Sequence, residues 1–137
     1  MPTCLSTKQN ASAMHLYEYA VIRVVPRVER EEFINAGILL CSPKQGFLKC
    51  KLHLCKEKLL ILDPNVDIDT IEAHLNAFEK ICTGGKAGGR IAQNNQAARF
   101  RWLTAMRSSV LQTSRPHPGL TEDLDSLLEH LFEEYVA

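Results

Sequence analysis

The chain lacks the features that mark membrane, exported and disordered proteins. No part of its 137 residues approaches the roughly 20 apolar residues that a membrane-spanning helix needs. The first 15 residues are polar apart from Leu5 and Met14, so they lack the apolar core of a signal peptide. Charged residues make up 23% and hydrophobic residues 45% of the chain, which excludes the composition of a disordered protein. We therefore expect a globular cytoplasmic protein without a membrane partner.

The chain also lacks the even, dense cysteine pattern of small secreted proteins. Its five cysteines are Cys4, Cys41, Cys50, Cys55 and Cys82, an odd and scattered set that indicates reduced thiols. Cys50, His53 and Cys55 have the types of metal ligands. On an extended strand, however, Cys50 points away from the other two, so the three cannot converge on one ion without a bend. We expect no metal centre and no other cofactor.

Acidic residues are missing from the segment between Lys80 and Thr121. This basic segment contains Lys80, Lys86, Arg90, Arg99, Arg101, Arg107 and Arg115. The chain after Thr121 has the opposite composition, with six acidic residues and no lysine or arginine, and the formal net charge of the whole chain is zero. Such asymmetry indicates either an exposed binding surface or two segments that pair with each other. The sequence leaves both interpretations open.

The first half of the chain predicts an antiparallel meander of three strands. Residues 17–25 are rich in β-branched and aromatic side chains, and the apolar run from Phe33 to Cys41 predicts a second strand with a bulge or close backbone approach at Gly37. Residues 47–54 alternate, and the face that carries Lys49, Lys51 and His53 is expected to meet water. The short connections between the strands favour antiparallel pairing.

The second half predicts three helices and one strand. A helix over residues 70–82 is expected to begin with a cap formed by Asp69 and Glu72, and its apolar stripe consists of Ile71, Leu75, Phe78 and Cys82. A mobile glycine-rich loop at residues 83–90 follows; it resembles a phosphate loop but lacks the Walker spacing and comes after a helix. A short helix over residues 94–105, a strand near residues 108–114 and a final helix that opens at Thr121 complete the chain. The buried stripe of that final helix is Leu124, Leu127, Leu128, Leu131 and Tyr135.

This order of elements predicts the α+β class. We expect a flexible N-terminal segment over residues 1–15 and a single two-layer domain over residues 16–137, with helices packed on one face of a mainly antiparallel sheet.

Two stretches together resemble a known family. REEFINAGILL (residues 30–40), which follows YAVIRVVP, and RFRWLTAMRSSVLQTSRPHPGL (residues 99–120) are similar to the two signatures of the bacterial family of proteins of unknown function DUF3037. Met106 stands where the family pattern has a proline. The resemblance implies a small bacterial cytosolic protein without an established activity, and it suggests a HipA-like kinase as a partner.

The candidate binding residues of the basic segment are Arg99, Arg101, Trp102, Arg107, Arg115 and His117. Arginine and aromatic side chains suit phosphates and bases, and Trp and Arg also dominate protein interfaces. Against a binding role, the helical spacing of Trp102 and Met106 favours a core position for Trp102. His117, held between two prolines, could transfer a proton if the chain is an enzyme, although a turn residue explains it more simply.

Secondary candidates lie in the first half of the chain. Arg23 and Arg30 could clamp a carboxylate or phosphate, although Glu31 or Glu32 could already pair with Arg30. Asn35 and Gly37 could face a ligand, but an asparagine that satisfies a glycine-permitted bulge is the simpler interpretation.

Three functions remain open at this stage. The favoured one is a non-catalytic interaction or accessory protein with a protein partner. The alternatives are a nucleic-acid-binding protein, and an enzyme that acts on a phosphorylated or carboxylated small molecule through His117 and arginines. The oligomeric state does not follow from the sequence.

Overall fold

The computed structural model describes residues 14–105 and 110–137. Within these ranges a five-stranded antiparallel sheet consists of β1 (His15–Val24), β2 (Ile34–Ser42), β3 (Phe47–Leu52), β4 (Leu111–Thr113) and β5 (His117–Thr121). The helices are α1 (Lys56–Leu62), α2 (Ile68–Thr83), α3 (Gln96–Thr104) and α4 (Leu124–Tyr135). The predicted α+β class and the antiparallel meander β1–β2–β3 are confirmed.

β1 lies at the centre of the sheet. Three strands pair with it, and so does part of the connection between β4 and β5. β2 and then β3 lie on one side, while β4 and β5 share the other edge and pair with residues 22–24 and 15–19 of β1. Between these two short strands, the backbone N–H of Ser114 donates to the carbonyl oxygen of Val21 (2.8 Å). The hydroxyl of Ser114 accepts a hydrogen bond of 2.8 Å from the Val21 N–H. Ser114 thus continues the ladder across the break between β4 and β5.

A β-bulge interrupts the pairing of β1 with β2. The register shifts between Ile22 and Arg23, so that Ile22 pairs with Gly37 while Arg23 pairs with Asn35. A Cβ atom on Gly37 would lie 2.6 Å from the carbonyl oxygen of Lys51. The expectation of a bulge or a close backbone approach at Gly37 is therefore confirmed.

The helices cover both faces of the sheet, so the prediction of helices on one face is wrong. One face packs against α1, α2 and α3, and its core includes Ile22, Leu39, Phe78, Phe100 and Leu103. The predicted stripe of α2 is buried there in full. The opposite face packs against α4 through Val21, Ile38, Leu40, Leu124, Leu128 and Leu131. The domain has three layers because successive side chains of β1 and β2 are apolar on both faces.

The polar face of β3 lies next to α4, where Lys49 and His53 are exposed as expected and Lys51 is partly buried. Lys49 pairs with Asp125 at 3.0 Å, and Lys51 pairs with Glu129. The Lys51 ammonium also lies 4.6 Å from the centre of the Phe132 ring. Lysine can occupy such a position because its aliphatic stem packs on apolar surface while its charged end reaches the rim.

The helix caps differ from those expected. The side chain of Asp67, not Asp69, caps α2 by accepting a hydrogen bond of 3.1 Å from the Thr70 N–H. At the start of α4, Asp123 accepts from the Ser126 N–H at 3.1 Å, whereas Thr121 ends β5. The short helix α1 and the strand β5 were not expected at all. Two prolines flank His117, but an edge strand tolerates a proline because it needs no hydrogen bond on its outer side.

Parts of the predicted domain organisation lie outside the described residues. Residues 1–13 of the predicted N-terminal segment are among them, and His15 already belongs to β1. The glycine-rich loop contains a 3-10 turn at Lys86–Gly88, and its mobility stays a prediction. Across the part of the chain that the structure describes, every helix is too short or too polar to cross a membrane.

Candidate functional site

Arg99 of the basic segment lies in the interior. Its side chain is only 7% exposed, and the guanidinium donates to the carbonyl oxygens of Asn94 (3.0 Å), Ile81 (3.0 Å) and Cys82 (2.8 Å). Ile81 and Cys82 belong to the last turn of α2, whose carbonyl groups have no partner within the helix. A cation is also favoured at this end by the helix dipole. Arg99 therefore caps α2 and does not contribute to an exposed surface.

Local sequence explains how Arg99 reaches this position. Asn95 begins α3 by accepting a hydrogen bond of 2.8 Å from the Ala98 N–H, which sets the helix start one turn before Arg99. Gly84, just after α2, has a φ of 88°, and a Cβ atom there would lie 2.6 Å from Nη1 of Arg99. The sequence shows the arginine and the glycine but gives no sign that they meet, because 14 residues of irregular chain and helix lie between them.

Arg101 and Trp102 form the exposed part of α3, which we call the α3 surface. Trp102 is 51% exposed, so the alternative that placed it in the core is wrong. Leu103, the next residue, takes the core position instead and is fully buried. Arg101 is exposed and forms no ion pair with the described residues. Arg107 lies outside the described residues.

His117 lies on the other face of the sheet from the α3 surface. It pairs with Tyr19 across β1 and β5, and the two rings are 5.2 Å apart. The Tyr19 hydroxyl lies 3.2 Å from that of Tyr135, and this hydrogen bond, together with partial burial, raises the pKa of Tyr19 to about 12. Tyr19 is therefore a poor proton-transfer partner for His117 near neutral pH. Arg115 is exposed in the connection between β4 and β5.

The acidic C-terminal helix does not neutralise the basic segment within the described residues. Asp125 and Glu129 of α4 pair with lysines of β3, and Glu134 lies 3.6 Å from His130 of its own helix. Five basic side chains of the segment are exposed and form no ion pair with the described residues: Lys80, Lys86, Arg90, Arg101 and Arg115. The carboxylates of α4 and the basic side chains between Lys80 and Thr121 therefore do not pair with each other within the described residues.

A cleft of about 460 Å³ lies at the end of β1, and we call it the β1 cleft. Its lining consists of Arg23, Val25, Val28, Glu31, Phe33 and Gln112. The guanidinium carbon of Arg23 lies 4.4 Å from the centre of the Phe33 ring, a cation–π contact that orients the side chain. Sequence reasoning singled out Arg23 but missed Glu31 and Phe33 as its neighbours in a cleft.

The other secondary candidates have structural partners. Asn35, which pairs with Arg23 across the bulge, donates a hydrogen bond of 3.0 Å to the carbonyl oxygen of Tyr135. Arg30 is paired with Glu32 at 2.8 Å, as one of the expected pairings. Gly37 packs against β3 and Ile22, which leaves no space for a ligand.

Cys41 and Cys82 are buried, while Cys50 and Cys55 are partly buried. Burial raises the pKa of the Cys41 thiol to about 11. The pKa of Cys82 is raised further by a hydrogen bond with Cys50 and by burial. Thiols that resist deprotonation are weak nucleophiles, so these cysteines are unsuited to covalent catalysis. No group of three His, Cys, Asp or Glu side chains in residues 14–105 and 110–137 has an arrangement that could hold a metal ion.

These observations define a small α+β protein with a central antiparallel sheet, an exposed arginine and tryptophan on one helix, and a charged cleft. The chain belongs to the family of proteins of unknown function DUF3037, which matches residues 19–136. The resemblance noted in the sequence is thereby confirmed. Searches of curated proteins and of solved structures each found no match.

Proposed function

We propose that this protein is a non-catalytic accessory protein of the bacterial cytoplasm that binds an acidic protein partner through the α3 surface. The observation that carries the proposal is the half exposure of Trp102 beside the unpaired Arg101. Tryptophan and arginine supply most of the binding energy in many protein interfaces. An exposed tryptophan on a short helix has no role in the core, since Leu103 and Phe100 fill the helix's buried side.

Charge supports an acidic partner. The α4 carboxylates that form ion pairs reach Lys49, Lys51 and His130, so they are not available to Arg101. Asp and Glu are absent from the whole segment around α3, which leaves the local charge positive. An acidic surface on another protein would provide the opposite charge and raise the association rate. The family resemblance suggests a HipA-like kinase as the partner.

The test measures binding of the full chain to a purified HipA-like kinase from the same organism by calorimetry. Arg101→Glu and Trp102→Ala are each expected to weaken binding about tenfold or more, because a hot-spot residue contributes that much. Lys58→Glu makes the same charge change at an exposed position of α1 and is expected to leave binding unchanged. No binding by the wild-type chain, or equal binding by all four proteins, overturns the proposal.

A parallel titration with duplex DNA separates the nucleic-acid alternative. If the arginines contact phosphates, affinity will fall with salt with a slope of about −0.9 per contact in a plot of log K against log salt. The proposal expects no binding to DNA at low salt. If the wild-type chain binds DNA and Arg101→Glu abolishes that binding, the partner of the α3 surface is a nucleic acid and not a protein.

A further inference from the structure

Two charged residues that line the β1 cleft form no ion pair with the described residues, whereas other charged residues nearby are paired. In the connection from β1 to β2, Arg27 pairs with Glu29 at 3.1 Å and Arg30 pairs with Glu32 at 2.8 Å. Arg23 and Glu31, which both line the cleft, form no ion pair with each other or with any other described residue. One cation and one anion thus face the same space without neutralising each other.

Arg23 also has a buried polar atom without a partner. Its Nε is shielded from solvent and forms no hydrogen bond with the described residues. The side-chain oxygen Oδ1 of Asn35, the residue paired with Arg23 across the bulge, is unsatisfied in the same way. An unsatisfied buried donor costs folding free energy, and such atoms are rare in native proteins. A guanidinium that is held against an aromatic ring and has no carboxylate paired with it among the described residues can bind a ligand carboxylate through its N–H groups.

Glu31, which lines the β1 cleft, has a strained backbone conformation. Glu31 has a φ of 57°, and it is the one described residue other than glycine with a positive φ. Its N–H donates to the carbonyl oxygen of Val28 at 3.2 Å, which closes the turn. Left-handed backbone costs free energy for a residue with a Cβ atom and often marks a functional position. The turn places a carboxylate at the cleft wall where glycine would be the cheaper residue.

We propose that the β1 cleft binds a free α-amino acid with an apolar side chain. Arg23 binds the carboxylate of the ligand, Glu31 binds its ammonium group, and the ligand's side chain packs against Val25, Val28 and Phe33. The volume of about 460 Å³ lies in the range of small-molecule sites. This proposal is independent of the α3 surface, because it involves other residues on other elements.

The test titrates the full chain with L-leucine and L-phenylalanine and follows binding by calorimetry. At least one of them is expected to bind. Two leucine analogues test the charged groups: 4-methylpentanoate lacks the ammonium group and 3-methylbutylamine lacks the carboxylate. Each is expected to bind at least about tenfold more weakly than L-leucine, because each loses a charge-assisted contact. If neither amino acid binds, or if 4-methylpentanoate binds as tightly as L-leucine, the proposal is wrong.

Variants assign the two charges. Arg23→Gln is expected to abolish binding of both amino acids. Glu31→Gln is expected to weaken amino-acid binding about tenfold and to leave the binding of 4-methylpentanoate unchanged. Glu31 is exposed, so this variant tests the proposal even if Arg23→Gln fails to fold. The matched controls Arg30→Gln and Glu29→Gln remove the same charges from pairs outside the cleft lining. Equal binding by Glu31→Gln and the wild-type chain overturns the proposal.

Discussion

Gly84 and Arg99 occupy adjoining space at the end of α2: a Cβ atom on Gly84 would lie 2.6 Å from Nη1 and 3.0 Å from Cζ of the arginine. The same Nη1 donates hydrogen bonds to the carbonyl oxygens of Ile81 and Cys82. The absence of a side chain at residue 84 therefore makes room for the guanidinium that satisfies the helix end. Gly84 leaves the space and Arg99, from α3, fills it and bonds to the end of α2.

Replacement of Arg99 by alanine is expected to lower the free energy of unfolding by about 2–4 kcal/mol. The reason is that buried helix-end carbonyls lose charge-assisted hydrogen bonds and are left unsatisfied. Arg99→Lys is expected to recover only part of this loss, because an ammonium lacks the planar fork. Urea unfolding followed by circular dichroism measures the change. Arg101→Ala, at an exposed position of the same helix, is the control, and equal stability of the two alanine variants would contradict the assignment.

Replacement of Gly84 by alanine is expected to destabilise the protein more than the same change at Gly89. Both glycines have positive φ values, 88° and 85°, so backbone strain of about 1–3 kcal/mol applies to each. Only the Cβ atom at residue 84 meets neighbours, since nothing lies within 4 Å of one at residue 89. The difference in unfolding free energy between the two variants isolates the crowding of Arg99. In an Arg99→Ala background that difference is expected to vanish, and its persistence would argue for another cause.

Asp123 is expected to make stability depend on pH in the acid range. Hydrogen bonds from the Ser126 backbone N–H and then from its hydroxyl lower the pKa of Asp123 below its ordinary value of 3.8. Because the folded-state pKa is the lower one, the stabilisation is complete above the unfolded-state pKa and is lost as pH falls through the folded-state pKa. Asparagine also caps helices but does not titrate. Thermal melts from pH 7 to pH 2.5 should therefore show a smaller loss of Tm for Asp123→Asn than for the wild type. Parallel curves would show that the carboxylate does not contribute.

Local patterns predicted most of the elements. The apolar stripe of α2 (Ile71, Leu75, Phe78 and Cys82) is buried as expected, because residues three and four apart share one side of a helix. The first three strands were predicted within a few residues, since alternation and β-branched composition are local properties. Strand β5 was missed because prolines flank its first residue and its pairing partner is β1, about 100 residues earlier in the chain.

The candidate sites were less predictable than the fold. The sequence singled out Arg99 and Arg101 as binding candidates and Arg23 as a secondary candidate, yet Arg99 is buried, Arg101 is exposed and Arg23 lines a cleft. What distinguishes them is contact with residues distant in the chain, such as Phe33 for Arg23 and Cys82 for Arg99. Glu31 has no sequence signal apart from its place among charged neighbours.

The sequence alone determined the α+β class, the antiparallel meander and the apolar stripe of α2, because periodicity and short connections act between near neighbours. Only the tertiary structure decided which face of the sheet each helix covers and which charges remain unpaired. Both outcomes depend on long-range packing: α4 covers the second face since Val21, Ile38 and Leu40 need burial there, and that position brings its carboxylates to Lys49 and Lys51. Arg90, Arg101 and Arg115 of the basic segment therefore form no ion pair with the described residues.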